Sequence, residues 1–193
     1  MPVTWTAGTT ADEKLVTLKI RPLVVDGRVR GYVLGSPHEV TERLFVVRRV
    51  FRMNDSLPED SAPRWHWQRG GWLLVDRLTG RISAVNLPDF DVVYSPATWY
   101  LYYVAYCGVS DDGNKRFAIV AELNRRKPVL KKPLAGVMPD DAAPDSACSA
   151  PVWQRSPVRV SFEAPGNDKQ TFAIRGHIDD IVNDAEEDEE ASN

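Results

Sequence analysis

The segment from Gly71 to Leu123 carries the pattern that most constrains the fold of this chain. Short runs of strand-forming residues, such as Trp99–Tyr106, are separated by turn residues, such as Asp111–Asn114. Runs of this length bounded by Gly, Asp and Asn are typical of antiparallel strands joined by tight turns. We therefore expect a mainly β protein, folded as an antiparallel sandwich or partial barrel of short hairpins in a single domain.

Hairpins are predicted along the rest of the chain from the same alternation of apolar runs and turn residues. Asp26-Gly27 supplies the two positive-φ positions of a tight turn between the strand formers of Leu23–Val25 and Arg28–Val33. We expect further hairpins with their turns at Leu78–Gly80, at Asp111–Asn114 and at Pro165–Asp168.

The run from Arg43 to Met53 predicts a strand with an irregularity. Apolar residues at odd-numbered positions alternate with Arg48 and Arg52, which places these two arginines on the opposite face. Arg49 breaks the alternation, because it falls on the apolar parity. We expect a β-bulge or an edge position at Arg49.

The segment that begins Ser95-Pro96-Ala97-Thr98 gives two conflicting signals. Ser followed by Pro is typical of the first turn of a helix. The residues that follow are mainly Trp, Tyr and Val, which favour a strand. We expect one helical turn near Ser95 and then a strand from Tyr102 to Val109.

Acidic residues are concentrated at the C-terminal end. Six of the 27 acidic residues lie among the last ten, which leaves 21 acidic against 24 basic residues in the rest of the chain. The tail, 183–193, repels itself and is expected to be disordered. Residues 1–12 lack a periodic pattern and are expected to form a flexible arm. The predicted β domain therefore spans 13–182, with a long loop rich in Pro, Asp and basic residues at 124–151.

The composition argues against several classes of protein. The mild basicity of the body is far from the excess expected of a dedicated nucleic-acid binder. No stretch approaches the ~20 apolar residues that a membrane span needs. The N-terminal residues lack the basic and apolar regions of a signal peptide. This predicts a cytoplasmic protein as written, and a periplasmic or secreted one if the chain is a mature form.

The two cysteines, Cys107 and Cys148, stand in no metal-binding spacing, so no zinc site and no other cofactor is predicted. Cys107 ends an apolar run, whereas Cys148 lies in a polar loop, where a cysteine has little reason to stand unless it pairs. In an oxidising compartment a bridge between them would stabilise the fold by about 4 kcal/mol. In a reducing compartment Cys107 would act as a small buried hydrophobe.

Two segments resemble the hairpins of TolB-like β-propeller blades. One is Trp72–Arg81, and the other runs from Ser95-Pro96-Ala97-Thr98 to Ser110-Asp111-Asp112-Gly113 within Trp72–Leu123. Such blades have Ser-Pro-Asp-Gly where this chain has Ser95–Thr98. A closed ring of at least about four blades, each of ~40 residues, would use nearly the whole chain, and no repeat of that period is present. The resemblance therefore implies blade-like hairpins and not a full propeller.

The aromatic residues predict a contact surface. Trp65 and Trp67 flank His66, and in an extended chain both indoles face the same way. Together with Trp72 and Trp99 they would form an aromatic face on which a ligand stacks, with His66 as its polar group. The alternative is that these rings belong to the core and that His66 faces solvent.

A second hypothesis is a hydrolase that acts on a sugar or peptide through carboxylates at turn tips. The candidates are Asp76, Asp89, Asp91, Asp111 and Asp112. Asp is also favoured at turns for its own backbone hydrogen bonds, which is the simpler interpretation. The sequence has no nucleophile elbow, phosphate-binding loop or metalloprotease motif, and His38, His66 and His177 are far apart in the chain. No catalytic residue and no metal ligand is therefore assigned.

A compact basic patch lies in the long loop. It consists of Arg125, Arg126, Lys127, Lys131 and Lys132. It would bind an acidic partner or the acidic tail of the same chain, or it is a solvated loop. A third hypothesis is therefore a cytosolic interaction protein whose tail and basic loop tune its association. The first hypothesis remains a non-enzymatic module that binds a protein or a small molecule through its aromatic surface.

Overall fold

The computed structural model describes residues 2–7, 14–25, 28–92, 95–110, 115–134, 148–164 and 169–174. These residues form thirteen β-strands in three antiparallel sheets and no helix. The prediction of a mainly β, antiparallel, single-domain protein is confirmed. Consistent with the strand content, none of these residues belongs to a helix long and apolar enough to cross a membrane.

The first sheet is a six-stranded meander in which each strand pairs with the next along the chain. Its strands are β1 (Pro2–Ala7), β2 (Lys14–Val25), β3 (Arg28–Glu39), β4 (Leu44–Asn54), β5 (Trp65–Asp76) and β6 (Ile82–Val85). The predicted hairpins on either side of Asp26-Gly27 and Leu78–Gly80 are confirmed as the β2–β3 and β5–β6 pairs. Residues 26 and 27 themselves lie outside the described residues.

The second sheet has the order β10-β9-β8-β7 and the third the order β11-β12-β13. Their strands are β7 (Ala97–Tyr100), β8 (Tyr103–Val109), β9 (Arg116–Glu122), β10 (Leu130–Leu134), β11 (Val152–Gln154), β12 (Arg159–Phe162) and β13 (Gln170–Ala173). The predicted β8–β9 and β12–β13 hairpins are confirmed by their ladders. Their turns, 111–114 and 165–168, lie outside the described residues.

The four-stranded sheet is the middle layer, because its two central strands are buried on both faces. One face, with Tyr103, Ala105 and Cys107, packs against the three-stranded sheet. The other face, with Val104 and Tyr106, forms a separate cluster that includes aromatic rings from neighbouring segments. Burial on both faces explains why β8 reads as a continuous apolar run instead of an alternating one.

The two cysteines tie this middle layer to the chain that leads into the third sheet. The sulfur atoms of Cys107 on β8 and Cys148 lie at disulfide-bonding distance, and their Cα atoms are 6.2 Å apart. Both residues are buried in the cluster between the two sheets.

The predicted irregularity at Arg49 is confirmed as a β-bulge between β4 and β5. Arg48 pairs with Trp72 and Val50 pairs with Arg69, so Arg49 alone stands opposite Gly70 and Gly71. The extra residue shifts the alternation of β5 by one position. As a result Trp65, Trp67 and Trp72 lie on one face, although their numbers differ in parity.

Two local predictions differ from the structure. Pro2–Ala7, expected in a flexible arm, form β1 along the edge strand β2. Ser95 does not begin a helical turn, since Ala97–Tyr100 pair with β8 and tertiary pairing overrides the local signal. Arg48 lies, as predicted, on the face of β4 opposite Phe45 and Val47, and it is 6 % exposed because other parts of the chain cover that face.

Candidate functional site

The predicted aromatic residues lie in three places: Trp72 and Trp99 between two sheets, Trp67 in a small core of the first sheet, and Trp65 at an open end of that sheet. Trp72 on β5 and Trp99 on β7 meet edge to face, with ring centroids 5.4 Å apart. Trp99 also stacks on His38, with centroids 5.9 Å apart, and His38 Nε2 donates to the carbonyl of Leu101 at 3.0 Å. These contacts join the six-stranded sheet to the middle sheet, and we call this region the sheet junction.

Arg48 is the polar centre of the sheet junction. Its guanidinium donates to the carbonyl oxygens of Gly70 at 3.1 Å, Ser95 at 3.2 Å and Val92 at 2.7 Å. Burial lowers the pKa of Arg48 to about 10; the nearby charge of Arg69 acts in the same direction, and that of Asp91 opposes it. A buried cation bonded to three backbone carbonyls has a structural role, and sequence reasoning missed it.

Trp67 belongs to a small core on the same face of β5. Its ring meets that of Tyr32 edge to face, with centroids 4.9 Å apart. Both rings pack against Ile20 and Val50, which are 2 % and 0 % exposed. Trp67 is therefore half-buried and takes part in holding β2, β3 and β4 together.

Trp65, by contrast, is 51 % exposed at the first position of β5. The guanidinium of Arg52, on the neighbouring strand, lies 5.0 Å from the centroid of its indole. A cation over an indole face is an attractive contact that favours this orientation of the ring. His66 points to the other face of the strand, where its Nδ1 lies 2.7 Å from a carboxylate oxygen of Asp55.

The loop between β4 and β5 is ordered by its own side chains. Asn54 Oδ1 accepts hydrogen bonds from Ser56 N, Ser56 Oγ and Arg64 N at 3.1, 2.7 and 2.9 Å. Asp60 Oδ2 accepts from Leu57 N at 2.8 Å, and Asp60 N donates to the Leu57 carbonyl at 3.0 Å. These bonds fix the position of Leu57, whose side chain stays exposed.

Exposed apolar side chains are concentrated at this end of the hairpin. Three of the seven large hydrophobic residues that are exposed in the described chain lie here: Met53 at 38 %, Leu57 at 54 % and Trp65 at 51 %. We call Arg52–Trp65 the β4–β5 tip. Sequence reasoning found Trp65 but missed Met53 and Leu57, although the turn residues Asn54, Ser56 and Asp60 indicated an ordered loop.

The described carboxylates proposed for hydrolysis have structural partners. Asp76 pairs with Arg43 and accepts from the backbone N–H groups of Leu78 and Thr79, as expected of a turn residue. The Arg43 guanidinium, more than these turn bonds, holds the pKa of Asp76 well below its usual range. Asp89 lies 2.8 Å from the ammonium of Lys131.

The remaining polar candidates are not brought together into a catalytic or metal-binding group within the described residues. Asp91 acts on Arg48 through its charge, while Asp111, Asp112 and His177 lie outside the described residues. Within the described part of the chain, no group of three or more His, Cys, Asp or Glu residues could hold a metal ion.

The residues of the predicted basic patch have different partners and orientations in the structure. Arg125 pairs with Glu122 at 2.9 Å, and the Lys131 ammonium lies 4.4 Å from the centroid of the Phe117 ring in addition to its pair with Asp89. Lys132 follows Lys131 on β10 and therefore points to the opposite face. Arg126 and Lys127 are exposed in the turn before it.

Comparisons with known proteins do not add to this geometry. Neither protein-family models, nor curated protein sequences, nor solved structures give a match to this chain. An exposed indole beside a cation, on a hairpin end that also exposes Leu57, is suited to non-covalent contact.

Proposed function

We propose that this protein is a non-enzymatic interaction module whose contact surface is the β4–β5 tip and whose partner is another protein. The observation that carries the proposal is the exposed indole of Trp65 beside the Arg52 guanidinium, on an ordered hairpin end that also exposes Leu57. Met53, which pairs with His66, projects from the opposite face of the same hairpin end. Exposed apolar side chains that lie together mark interaction sites, whereas scattered ones need no explanation.

The hydrogen bonds that order the β4–β5 loop support a role in binding for the apolar side chains exposed at the tip. The bonds accepted by Asn54 and Asp60 hold the backbone from Ser56 to Arg64 in one conformation. A surface that is ordered before binding loses less conformational entropy when a partner docks. The contact of Arg52 with Trp65 favours the observed orientation of the indole.

The residue types favour a protein partner over a small ligand. Trp and Arg are enriched among the residues that dominate the binding energy of protein interfaces. Met adapts its unbranched side chain to the shape of a partner. Leu57 and Trp65 are both more than half exposed at the tip, whereas small-molecule sites bury most of the ligand in a concave pocket.

The test captures the partner and then measures its affinity. A photoreactive residue at Glu59, which is exposed in the tip, is used for crosslinking in the native cells, and the captured protein is identified and purified. We expect Trp65→Ala to weaken its binding at least about 30-fold, which corresponds to the ~2 kcal/mol of a dominant interface residue.

The matched control is Leu78→Ala, because Leu78 is 78 % exposed on a different turn. We expect this variant to bind the purified partner as tightly as the unchanged protein. Equal affinity of the Trp65→Ala variant and the unchanged protein, or capture that does not depend on Trp65, would contradict the proposal.

A further inference from the structure

Four exposed cations lie in the turns and strand starts of the second and third sheets. Arg126 and Lys127 belong to the β9–β10 connection, Arg155 to the β11–β12 turn, and Arg159 begins β12. Within the described chain, none of the four forms an ion pair with an acidic residue. We call these four residues the basic end. Solvent ions, or an anionic group outside the described residues, must balance its charge.

The contacts between β7 and β11 fix the relative direction of the middle and third sheets. Thr98 Oγ1 donates to the Pro151 carbonyl at 2.8 Å, and the ring of Trp153 stacks on that of Tyr100 with centroids 5.4 Å apart. The chain from Pro151 to Trp153 therefore runs in the direction of β7, towards Tyr100, where β7 ends.

This direction brings the basic end together. Tyr100 pairs with Tyr103, and Tyr103 pairs with Glu122, the last residue of β9. The β9–β10 connection thus begins at the end of the middle sheet towards which β11 runs. The β11–β12 turn follows β11 at that same end, so the cations of the two segments share one end of the molecule.

The described chain leaves the third sheet at the basic end. Ile174 N donates to the carbonyl of Val158, in the β11–β12 turn, at 3.1 Å. Ten residues later comes an acidic run, which lies outside the described residues. It holds Asp184, Glu186, Glu187, Asp188, Glu189 and Glu190. Ten extended residues span at most about 35 Å, and the three strand spacings of the middle sheet amount to about 14 Å, so the run can reach the whole basic end.

We propose that the acidic run docks on the basic end of its own molecule. The run carries six negative charges and the basic end four positive ones, and opposite charges on neighbouring surfaces attract. The short tether raises the effective concentration of the run at this surface. Two other cations of the predicted basic patch are already engaged, Arg125 by Glu122 and Lys131 by Asp89. An acidic segment of another protein must displace the run before it binds here.

Fluorescence anisotropy of labelled octaglutamate, added to the full chain, tests this competition. The variant keeps the full length but replaces the six acidic residues of the run by Asn and Gln. We expect it to bind octaglutamate at least about tenfold more tightly than the unchanged protein at low salt. At about 0.5 M salt the difference should fall to about twofold or less, because exposed charges are then screened.

Substitutions in the basic end locate the surface. In the neutralised variant, Arg126→Gln/Lys127→Gln should weaken octaglutamate binding at least about fivefold, since half of the cations are removed. The matched control is Lys19→Gln/Arg21→Gln, which removes two exposed cations from β2 in the first sheet. This control should leave the Kd unchanged.

Carbodiimide crosslinking of the unchanged protein shows where the run lies, because this reagent joins a carboxylate to a lysine in direct contact with it. Mass spectrometry of the monomer at low salt should find the run linked to Lys127 and not to Lys19. Equal octaglutamate affinities of the unchanged and neutralised proteins would overturn the proposal. Crosslinks to Lys19 as frequent as those to Lys127 would overturn it as well.

Discussion

Two arginine–tryptophan pairs lie on the same face of the β4–β5 hairpin, and they have different surroundings. The guanidinium of Arg48 lies 5.6 Å from the centroid of Trp72, and that of Arg52 lies 5.0 Å from the centroid of Trp65. Arg48 is 6 % exposed, whereas Trp65 is 51 % exposed. The same pair of residue types is therefore structural at one end of the hairpin and accessible at the other.

The difference comes from the second sheet and the segment that leads into it, and not from the hairpin itself. At the sheet junction, Trp99 and Phe90 pack against the pair, and carbonyls of Val92 and Ser95 accept from Arg48. At the tip, Arg52 and Trp65 contact each other. Among the described residues, none from the second or third sheet packs against this pair as Trp99 packs against Trp72. A cation over an indole thus gains its structural role from what covers it.

The contrast between the junction and the tip depends first on how the middle sheet is held in place, because residues of this sheet pack at the junction. We expect Cys107 and Cys148 to form a disulfide in the oxidised protein. Their separation of 41 residues implies a stabilisation of about 4 kcal/mol in the chain-entropy model. Urea unfolding of the oxidised protein and of the Cys107→Ala/Cys148→Ala double variant should show a loss of this size.

The unchanged protein in reductant is the control for the double variant, and the two should unfold at similar urea concentrations. Thiol titration of the unfolded, unreduced protein should find no free thiol. Two free thiols in an oxidising buffer would show that the middle sheet is held by packing alone.

The second prediction compares the two arginines directly. Arg48→Ala removes hydrogen bonds to three carbonyls, at roughly 1 kcal/mol each, so we expect a loss of about 3 kcal/mol. Removing a buried charge returns part of its desolvation cost, and the lost packing against Trp72 and Phe90 offsets that gain. Arg52→Ala should cost less than about 1 kcal/mol, because its side chain is exposed.

Urea unfolding followed by circular dichroism measures both variants, and Arg48→Lys separates charge from geometry. Lysine keeps the charge but lacks the planar arrangement of donors that reaches three carbonyls. We expect Arg48→Lys to be destabilised nearly as much as Arg48→Ala. Similar losses for Arg48→Ala and Arg52→Ala would remove the distinction between junction and tip.

The sequence predicted those features of the β4–β5 hairpin that depend on residues close to one another in the chain. Turn residues located the β5–β6 hairpin, where the Asp76 carboxylate accepts from the backbone as expected. The broken alternation at Arg49 predicted the bulge. The shared face of Trp65 and Trp67 followed from the two-residue period of a strand.

The part that was not predictable depends on residues distant in the chain. The carbonyls that accept from Arg48 belong to residues 70, 92 and 95, and no spacing around Arg48 announces them. The separation of Trp72 and Trp99 from Trp65 likewise depends on where the second sheet packs. The N-terminal strand β1 was missed although Val3, Trp5 and Ala7 alternate with two threonines; β2 supplies its pairing partner.

The last prediction concerns the bulge that puts both tryptophans on one face. A methyl group at Gly70 would lie 2.9 Å from Phe51 Cε1 and 3.2 Å from the Arg49 carbonyl oxygen. We expect Gly70→Ala to destabilise the protein by about 1–2 kcal/mol, because the crowded ring and backbone must move. At Gly71 nothing lies within 4 Å of such a group. Gly71→Ala should therefore stabilise by about 0.5 kcal/mol, through the lower entropy of the unfolded chain.

Urea midpoints of these two neighbouring variants measure the difference, and opposite signs are the expected result. Because the Gly70 carbonyl accepts from Arg48 Nε, a displaced Gly70 should weaken the junction and leave the tip unchanged. Partner binding through Trp65 should thus survive in Gly70→Ala at temperatures where the variant stays folded. Equal effects of the two alanines would mean that the bulge is loosely packed, and the common face of Trp65 and Trp72 would then not be fixed by this contact.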